Sequence, residues 1–446
     1  MSSSQPVTYA RRLGLFSGIM SVVGGIIGSG IFLNPAIVAQ RTGTTRLTIV
    51  AWVVGGIVAL LGAFIYGELG RRVPRAGGGY VYLREAFGPL PAFLSGWALL
   101  LAVATGAIAA VAVTFANYFV ALTGLGSGAV MPLAAGAILV LTAVNVLGVA
   151  PGAYTQNVFT VLKLVGIAVL CALAVLPGSP PHQAVAPLVT SHSSLGAFGA
   201  IGIALVPILF SYGGWQQTNY IAEEIRDPER TLPKALVLGV LVVVTVYLLA
   251  NLAYLRALGV DGLAASTAPA ADTMERWFGA GGRKLISLGI VMSTFGFLDL
   301  VILVSPRVYQ AMAADGLFPA ALARLHPRFR TPVNALAVQG VWALTLLALG
   351  SYGALLDWVV FADWITFGSV ACTLVVYRKR SASNADPEGG YRDPLYPISV
   401  ILFVAAAVYV VAGSVASNPA NAFKGVVMIA LGVPVYLFWR RQGRRA

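Results

Sequence analysis

The chain has 446 residues, 58% of them hydrophobic and only 10% charged, with a mean hydropathy of +0.84. A soluble globular domain carries about 25% charge, so this composition excludes one and points to an all-α membrane protein with many spans. The formal net charge of +13 would suit a nucleic-acid binder, but the arginines stand in short segments between apolar runs, as orientation signals do, and no nucleic acid is expected as a partner. Cys171 and Cys372 both fall in apolar runs and outline no disulfide framework. His182, His192 and His326 fall between spans without metal-ligand spacing, so neither metal nor cofactor is expected. The first apolar segment is too long for a cleavable signal peptide.

In chain order the apolar runs predict twelve spans, near 13–40, 46–70, 90–121, 128–149, 155–177, 195–222, 233–257, 281–311, 333–350, 354–378, 395–415 and 420–440. An even number puts both termini on one side. With alternate assignment, 21 of the 29 Lys and Arg residues fall on the side of the termini and seven on the other, Lys163 lying inside a span. The positive-inside rule then makes the termini cytoplasmic and the lipid bilayer of the cell (inner) membrane the surrounding medium. The expected organisation is a cytoplasmic N-terminus (1–12), a first five-helix unit (13–177), a second (195–378), a flexible cytoplasmic linker (379–394), two further helices (395–440) and a cytoplasmic tail (441–446). A short outer helix is expected near Asp272–Phe278, and Pro319, Pro327 and Pro332 mark a structured connector after the eighth span.

Two spans break the pattern. Leu13 to Gln40 is 28 residues without a charge, with Gly24, Gly25, Gly28 and Gly30 at its centre. At about 1.5 Å per residue it is roughly 42 Å long, and glycines costing on the order of 1 kcal/mol each predict a break in mid-span. The sixth span, Leu195 to Ala222, is again 28 uncharged residues, interrupted by Ser211-Tyr212-Gly213-Gly214-Trp215. Each five-span half thus opens with a broken helix, and an odd number of spans per half inverts the second half, the logic of the LeuT-type repeat. Free carbonyls before each break and free N–H groups after it offer acceptors for an ammonium and donors for a carboxylate. An amino acid zwitterion fits both, and a side chain at Gly30 would occupy the carboxylate's place. The competing reading is that these glycines serve only close helix packing.

IIGSGIF in the first span and FSYGGWQQTNYIAEEIRDPERTLPKAL in and after the sixth resemble the amino acid–polyamine–organocation superfamily, and within it the L-type amino acid transporters and their bacterial relatives. The resemblance implies a LeuT-type 5+5 inverted repeat with helices 1 and 6 broken, plus two helices, and sodium-independent amino acid exchange. By motif position it implies carboxylate binding at Ser29, Gly30 and Ile31, ammonium binding at the carbonyls of Ile26, Phe210 and Gly213, and Phe210 as an aromatic gate. Gln216 stands where the animal proteins often have Asn. The loop LTGLGS after the third span lacks the cysteine through which those proteins join a heavy chain, so no disulfide-linked partner is expected.

Ionisable residues within spans are expensive and functional by default. The resemblance sets Lys163 against the broken first span, its ammonium in place of a sodium ion; the alternative is snorkelling to the cytoplasm. Asp299 occupies a family position that faces the substrate, where it would select polar or cationic side chains or carry a proton; otherwise it is a structural partner. Asp357 and Asp363 read as lining a hydrated vestibule. Glu223 and Glu224 would pair with Arg71 or Arg307 and latch an inner gate, or stay solvated, and Trp215 reads as a packing wedge at that gate. The function expected is amino acid transport by alternating access. The rivals are proton-coupled symport of amino acids, cationic amino acids or polyamines, and a channel, for which the spans lack a continuous polar lining. No His/Ser/Asp or His/Glu constellation supports an intramembrane enzyme.

Overall fold

The computed structural model describes residues 8–175, 196–349, 352–381, 390–417 and 419–443. The expectations for His182 and His192 and for most of the linker (382–389) lie outside the described residues, as does the side chain of Asp357. In chain order the helices are α1 (Leu15–Ile26), α2 (Gly30–Thr42), α3 (Thr45–Arg72), α4 (Gly79–Phe87), α5 (Pro89–Ala98), α6 (Ala104–Thr123), α7 (Val130–Val146), α8 (Val149–Ala172) and α9 (Gly196–Tyr212). They continue with α10 (Pro228–Ala265), α11 (Pro269–Val304), α12 (Pro306–Ala314), α13 (Val333–Leu349), α14 (Tyr352–Ser381), α15 (Ile398–Ser417), α16 (Pro419–Ala430) and α17 (Gly432–Gly443). Five of them begin on proline, which presets φ at a position whose N–H has no helical partner. Thr44 caps α3 by accepting a bond from the Leu47 N–H at 3.2 Å.

Among the described residues nine helices are long and apolar enough to cross a membrane, or ten when α1 and α2, bent by 45°, count as one span. The two further spans expected correspond to α13, apolar but 17 residues long, and α14. The chain is therefore an all-α, multi-pass membrane protein. Outside the spans, the first part of α11 supplies the short helix expected near Asp272–Phe278 and breaks at Gly279. The connector after α12 is built of turns and a short 3-10 segment, Ala320–Ala323.

Packing places α1 between α8 and α10, and α2 and α3 against α9. α3 runs along α10, while α11 runs along α6 and α8. Several packings recur five spans on: α1 with α10 is matched by α9 with α3, α8 with α11 by α14 with α6, and α7 with α11 by α13 with α6. One π-helical turn, Leu99–Val103, joins α5 to α6. Such turns arise where the backbone ladder is interrupted and recur at functional sites.

Small residues set the close approaches, as dispersion rather than hydrophobicity holds helices together in lipid. A Cβ built on Gly239 of α10 would lie 2.6 Å from Cβ and Cγ1 of Val22 on α1. Gly239→Leu should push the two helices apart and cost at least the ~1–3 kcal/mol typical of overpacking. Gly136→Leu, where a Cβ meets nothing within 4 Å, should be neutral. Melting of the two purified variants in detergent checks this, with a clear drop expected for the first alone.

Candidate functional site

The two interrupted spans meet at mid-bundle. α1 stops at Ile26 and α2 starts at Gly30, while α9 stops at Tyr212 and is followed by a Gly213–Gly214 turn and a 3-10 segment, Trp215–Glu224. Gly214 has φ 114°, a left-handed conformation open to glycine without strain. Its backbone also lies against that of Gly25, where a Cβ would sit 2.8 Å from the Gly214 carbonyl oxygen. A Cβ on Gly30 would point at Ser211, 2.8 Å from its Oγ and 3.1 Å from its Cα, rather than into open space. Gly30 therefore makes room for α9, and the sequence-based reason given for a clash at that residue is corrected: packing, not direct occlusion of a ligand, forbids a side chain there.

The carbonyls released at the first break have specific donors. Lys163, buried in α8, donates from Nζ to the carbonyl oxygens of Ile27 at 2.7 Å and Gly24 at 3.3 Å. Ser293 Oγ donates to the same Ile27 oxygen at 3.3 Å, whereas the Thr294 hydroxyl stays within its own helix on Ile290. Tyr247 on α10 stands between the breaks, its hydroxyl 3.1 Å from the carbonyl oxygens of both Ile26 and Ser211 and sharing one proton between them. The Ile26 oxygen also accepts from the Gly28 N–H at 2.9 Å. After the second break the Gly214 N–H donates to Gln216 Oε1 at 3.0 Å, so Gln216 caps the turn with its own side chain.

A cavity of about 230 Å³ opens between the breaks. One water needs only ~10–15 Å³ on this measure, so the space suits a small organic molecule. Ile26, Ser29, Gly30, Phe210, Gly213 and Gln216, all expected at the site, line it. Ile31, Trp215, Glu223, Glu224, Lys163 and Asp299 do not. Asp299 is a clear departure from expectation. Phe297 and Val301 are the cavity-facing residues of that part of α11, and Asp299, two residues from each, points to α7, where its Oδ1 accepts from Asn145 Nδ2 at 2.8 Å. Trp215 is buried in an aromatic cluster with Tyr66, Phe367 and Phe403.

Sequence reasoning passed over Asn34, Gln217, Tyr220 and Phe297 and placed Asp363 in a vestibule, yet all five line the cavity. Gly214, Gln217 and Tyr220 share a face because a 3-10 helix repeats every three residues. Only knowledge of that conformation exposes the spacing. Asn34 donates to Ser211 Oγ at 2.7 Å and to the Pro207 carbonyl at 3.0 Å, tying α2 to α9 beside the cavity.

The end of the bundle that carries the arginine-rich segments is sealed. Leu13 and Ile225 pair as a short parallel bridge, with Arg12 and Leu13 N–H on the Glu224 carbonyl at 3.0 Å and Arg226 N–H on the Leu13 carbonyl at 2.8 Å. Glu224 is buried in an ion pair with Arg307, Nε to Oε1 2.7 Å and Nη2 to Oε2 3.3 Å, and the guanidinium carbon lies 5.8 Å from the Tyr9 ring centroid. Glu223 instead accepts from the Ala76 N–H at 3.2 Å, pinning the glycine-rich loop after α3 beneath the 3-10 segment. A second buried carboxylate, Glu68, joins Arg72, Arg378 and the Asp393 N–H at the same end. Among the described residues no His, Cys, Asp and Glu group is placed to hold a metal ion.

The family model for amino acid permeases matches residues 13–438. The chain belongs to the amino acid permease family, within the amino acid–polyamine–organocation superfamily. It is 32% identical over 429 residues to the serine/threonine exchanger SteT of Bacillus subtilis, covering 96% of both chains. It is 33% identical to the b(0,+)-type amino acid transporter 1 of Mus musculus, covering 96% of this chain and 87% of that one. Against the large neutral amino acids transporter small subunit 2 of Homo sapiens it is 30% identical, covering 98% and 82%. The family and these relatives are transporters, not enzymes.

In this permease the buried Glu224–Arg307 pair is costly to break from one side, since removing one partner of such a pair costs about 3–5 kcal/mol. Arg307→Met should therefore loosen the basic end. A cysteine placed at Gln217, with Cys171 and Cys372 replaced by Ser, should react at least tenfold faster with an impermeant maleimide supplied at that end. Glu224→Gln combined with Arg307→Met should recover part of the protection. An unchanged labelling rate in Arg307→Met would show that the pair does not hold the seal.

Proposed function

We propose that this permease is a sodium-independent amino acid exchanger of the cell (inner) membrane, working by alternating access with both termini in the cytoplasm. The observation that carries the reading is that both helix breaks border one cavity, with Ser29 and Gly30 at the start of α2 and Phe210 near the end of α9 among its lining residues. The substrate carboxylate is assigned to the N–H groups of Ser29 and Gly30, which line the cavity and open the helix without carbonyl partners in it, with the N–H of Ile31, which does not line the cavity, next in the same turn. The ammonium is assigned to the carbonyls of Gly213 and Phe210, with Ile26 contributing only as Tyr247 yields its bond. Phe210, half-buried on the cavity wall, is the lid.

The paired packings of α1 with α10 and α9 with α3, and of α8 with α11 and α14 with α6, support two five-span units in inverted orientation followed by two helices. On the positive-inside count the basic end, closed by the Leu13–Ile225 bridge and the Glu224–Arg307 pair, is the cytoplasmic one. A seal at one end and a cavity at mid-depth favour alternating access over a channel. Lys163 supports sodium independence, because its ammonium already serves the carbonyls that a cation would otherwise coordinate. With no cysteine in the LTGLGS loop and both cysteines free, no disulfide-linked heavy chain is proposed.

Proteoliposomes loaded with unlabelled amino acids and placed in sodium-free buffer should take up labelled amino acid, with little uptake into empty vesicles. Accumulation driven by a sodium gradient would overturn the lysine's role, and accumulation driven by a proton gradient into empty vesicles would replace exchange with symport. Lys163→Ala leaves two buried carbonyls short of a donor at ~1–3 kcal/mol each, so transport should fall roughly tenfold or more while the protein remains monodisperse.

Phe210→Ala should reduce exchange far more than it reduces expression, because the occluded substrate loses its apolar cover. Equal exchange rates at matched protein amounts would remove Phe210 from the gate.

A further inference from the structure

Residues of the two breaks line the cavity and are taken, in the reading above, by the α-carboxylate and α-ammonium of the substrate. The substrate's side chain must be received by the rest of the lining, which is largely apolar, with Phe297, Trp364 and Phe367, and has Gln217, Tyr220, Ser305 and Asp363 among its polar residues. Asp363 is the only Asp, Glu, Lys or Arg among the described residues that line the cavity. Among the described residues no hydrogen bond or ion pair engages the Asp363 carboxylate, whereas Glu68, Glu224 and Asp299 all have partners. Tyr66 and Tyr220 are its neighbouring polar groups.

A second space of about 20 Å³ continues from the first towards the basic end, and Gln216, Tyr220 and Asp363 border both. It has room for about one water-sized group, with Tyr80, Ser95 and Thr366 among its other walls. An ammonium matches that size and supplies three donors to acceptors that surround it; a planar guanidinium is larger and demands a fork of acceptors. A carboxylate left without a partner in such surroundings is costly, and a ligand cation removes that cost.

We propose that Asp363 is the specificity-determining residue of the site and selects amino acids whose side chain ends in a primary amine. This rests on the amino acid carrier reading and names its substrate class. The α-groups dock on the two breaks, the methylenes cross the cavity past Phe297 and Phe367, and the terminal ammonium reaches Asp363 at the mouth of the smaller space. An uncharged side chain of equal length leaves the carboxylate unpaired.

Competition against a labelled amino acid bound to the purified permease in nanodiscs tests this with L-lysine, L-ornithine, L-arginine, L-norleucine and L-serine. Wild type should bind lysine or ornithine at least tenfold more tightly than norleucine, which has the lysine stem without its amine, and more tightly than arginine. Asp363→Asn, nearly isosteric, should bring the lysine-to-norleucine preference to within about threefold of unity, and Asp363→Glu should keep a preference for the amine. Norleucine or serine binding as well as lysine to wild type would overturn the proposal while leaving the amino acid carrier reading intact, and needs no variant to fold. A preference unchanged in Asp363→Asn would overturn it equally, as would proton-driven uptake of a neutral amino acid that vanishes in that variant. Failure of every amino acid to bind would defeat both the proposal and the reading beneath it.

Discussion

A helix interrupted in the middle of a membrane protein leaves carbonyls that lipid cannot satisfy, and here the first of them are satisfied by a buried lysine. Lys163 takes the Gly24 and Ile27 oxygens, Ser293 adds to Ile27, and Tyr247 bridges Ile26 to Ser211. Without these donors α1 would gain by closing its hydrogen-bond ladder through Ile27, and the N–H groups at the start of α2 would no longer face the cavity. The cavity, the glycine contacts between Gly25 and Gly214, and the turn capped by Gln216 all presuppose that the break stays open.

The seal at the basic end uses the same segments. The strand-like residues before α1 bond to the residues that end the 3-10 segment, so each broken span is tied to the other on that side through Leu13, Glu224 and Arg226. Arg307 reaches the same place from α12, and the glycine-rich loop after α3 closes over Tyr220 and Glu223. Tyr220 also lines the cavity, which makes the 3-10 segment a physical link between site and seal. A ligand that binds more tightly to one arrangement of this segment than to another shifts the equilibrium by that difference and no more.

The amount legible beforehand differed from residue to residue for identifiable reasons. Lys163 was legible as a lone ammonium that must find acceptors in an apolar span, while its place against the broken first span came from the family resemblance and not from its surroundings in the sequence. Glu224 pairing with Arg307 was one of two partners considered, and Arg71 the other. Asp299 was expected to face the substrate and Asp363 only a vestibule, whereas Asp363 lines the cavity and Asp299 meets Asn145. Both are carboxylates set in apolar stretches of long helices, and nothing local distinguishes the one that meets Asn145 from the one that lines the cavity.

The sequence by itself determined the membrane environment, the all-helical, many-span character and the two interruptions, because these follow from composition, charge placement and glycine clustering over short stretches. Only the tertiary structure decided which way each helix faces. Lipid is as apolar as the bundle interior, so a span such as α11 or α14 can be hydrophobic on all sides and carry no amphipathic stripe to orient it. Its rotation is set by the close approaches of neighbouring helices, among them Gly296 of α11 against Phe159 on α8 and Gly368 of α14 against Ala407 on α15. Such contacts join residues well separated along the chain, and it is Asp363 rather than Asp299 that lies on the cavity wall.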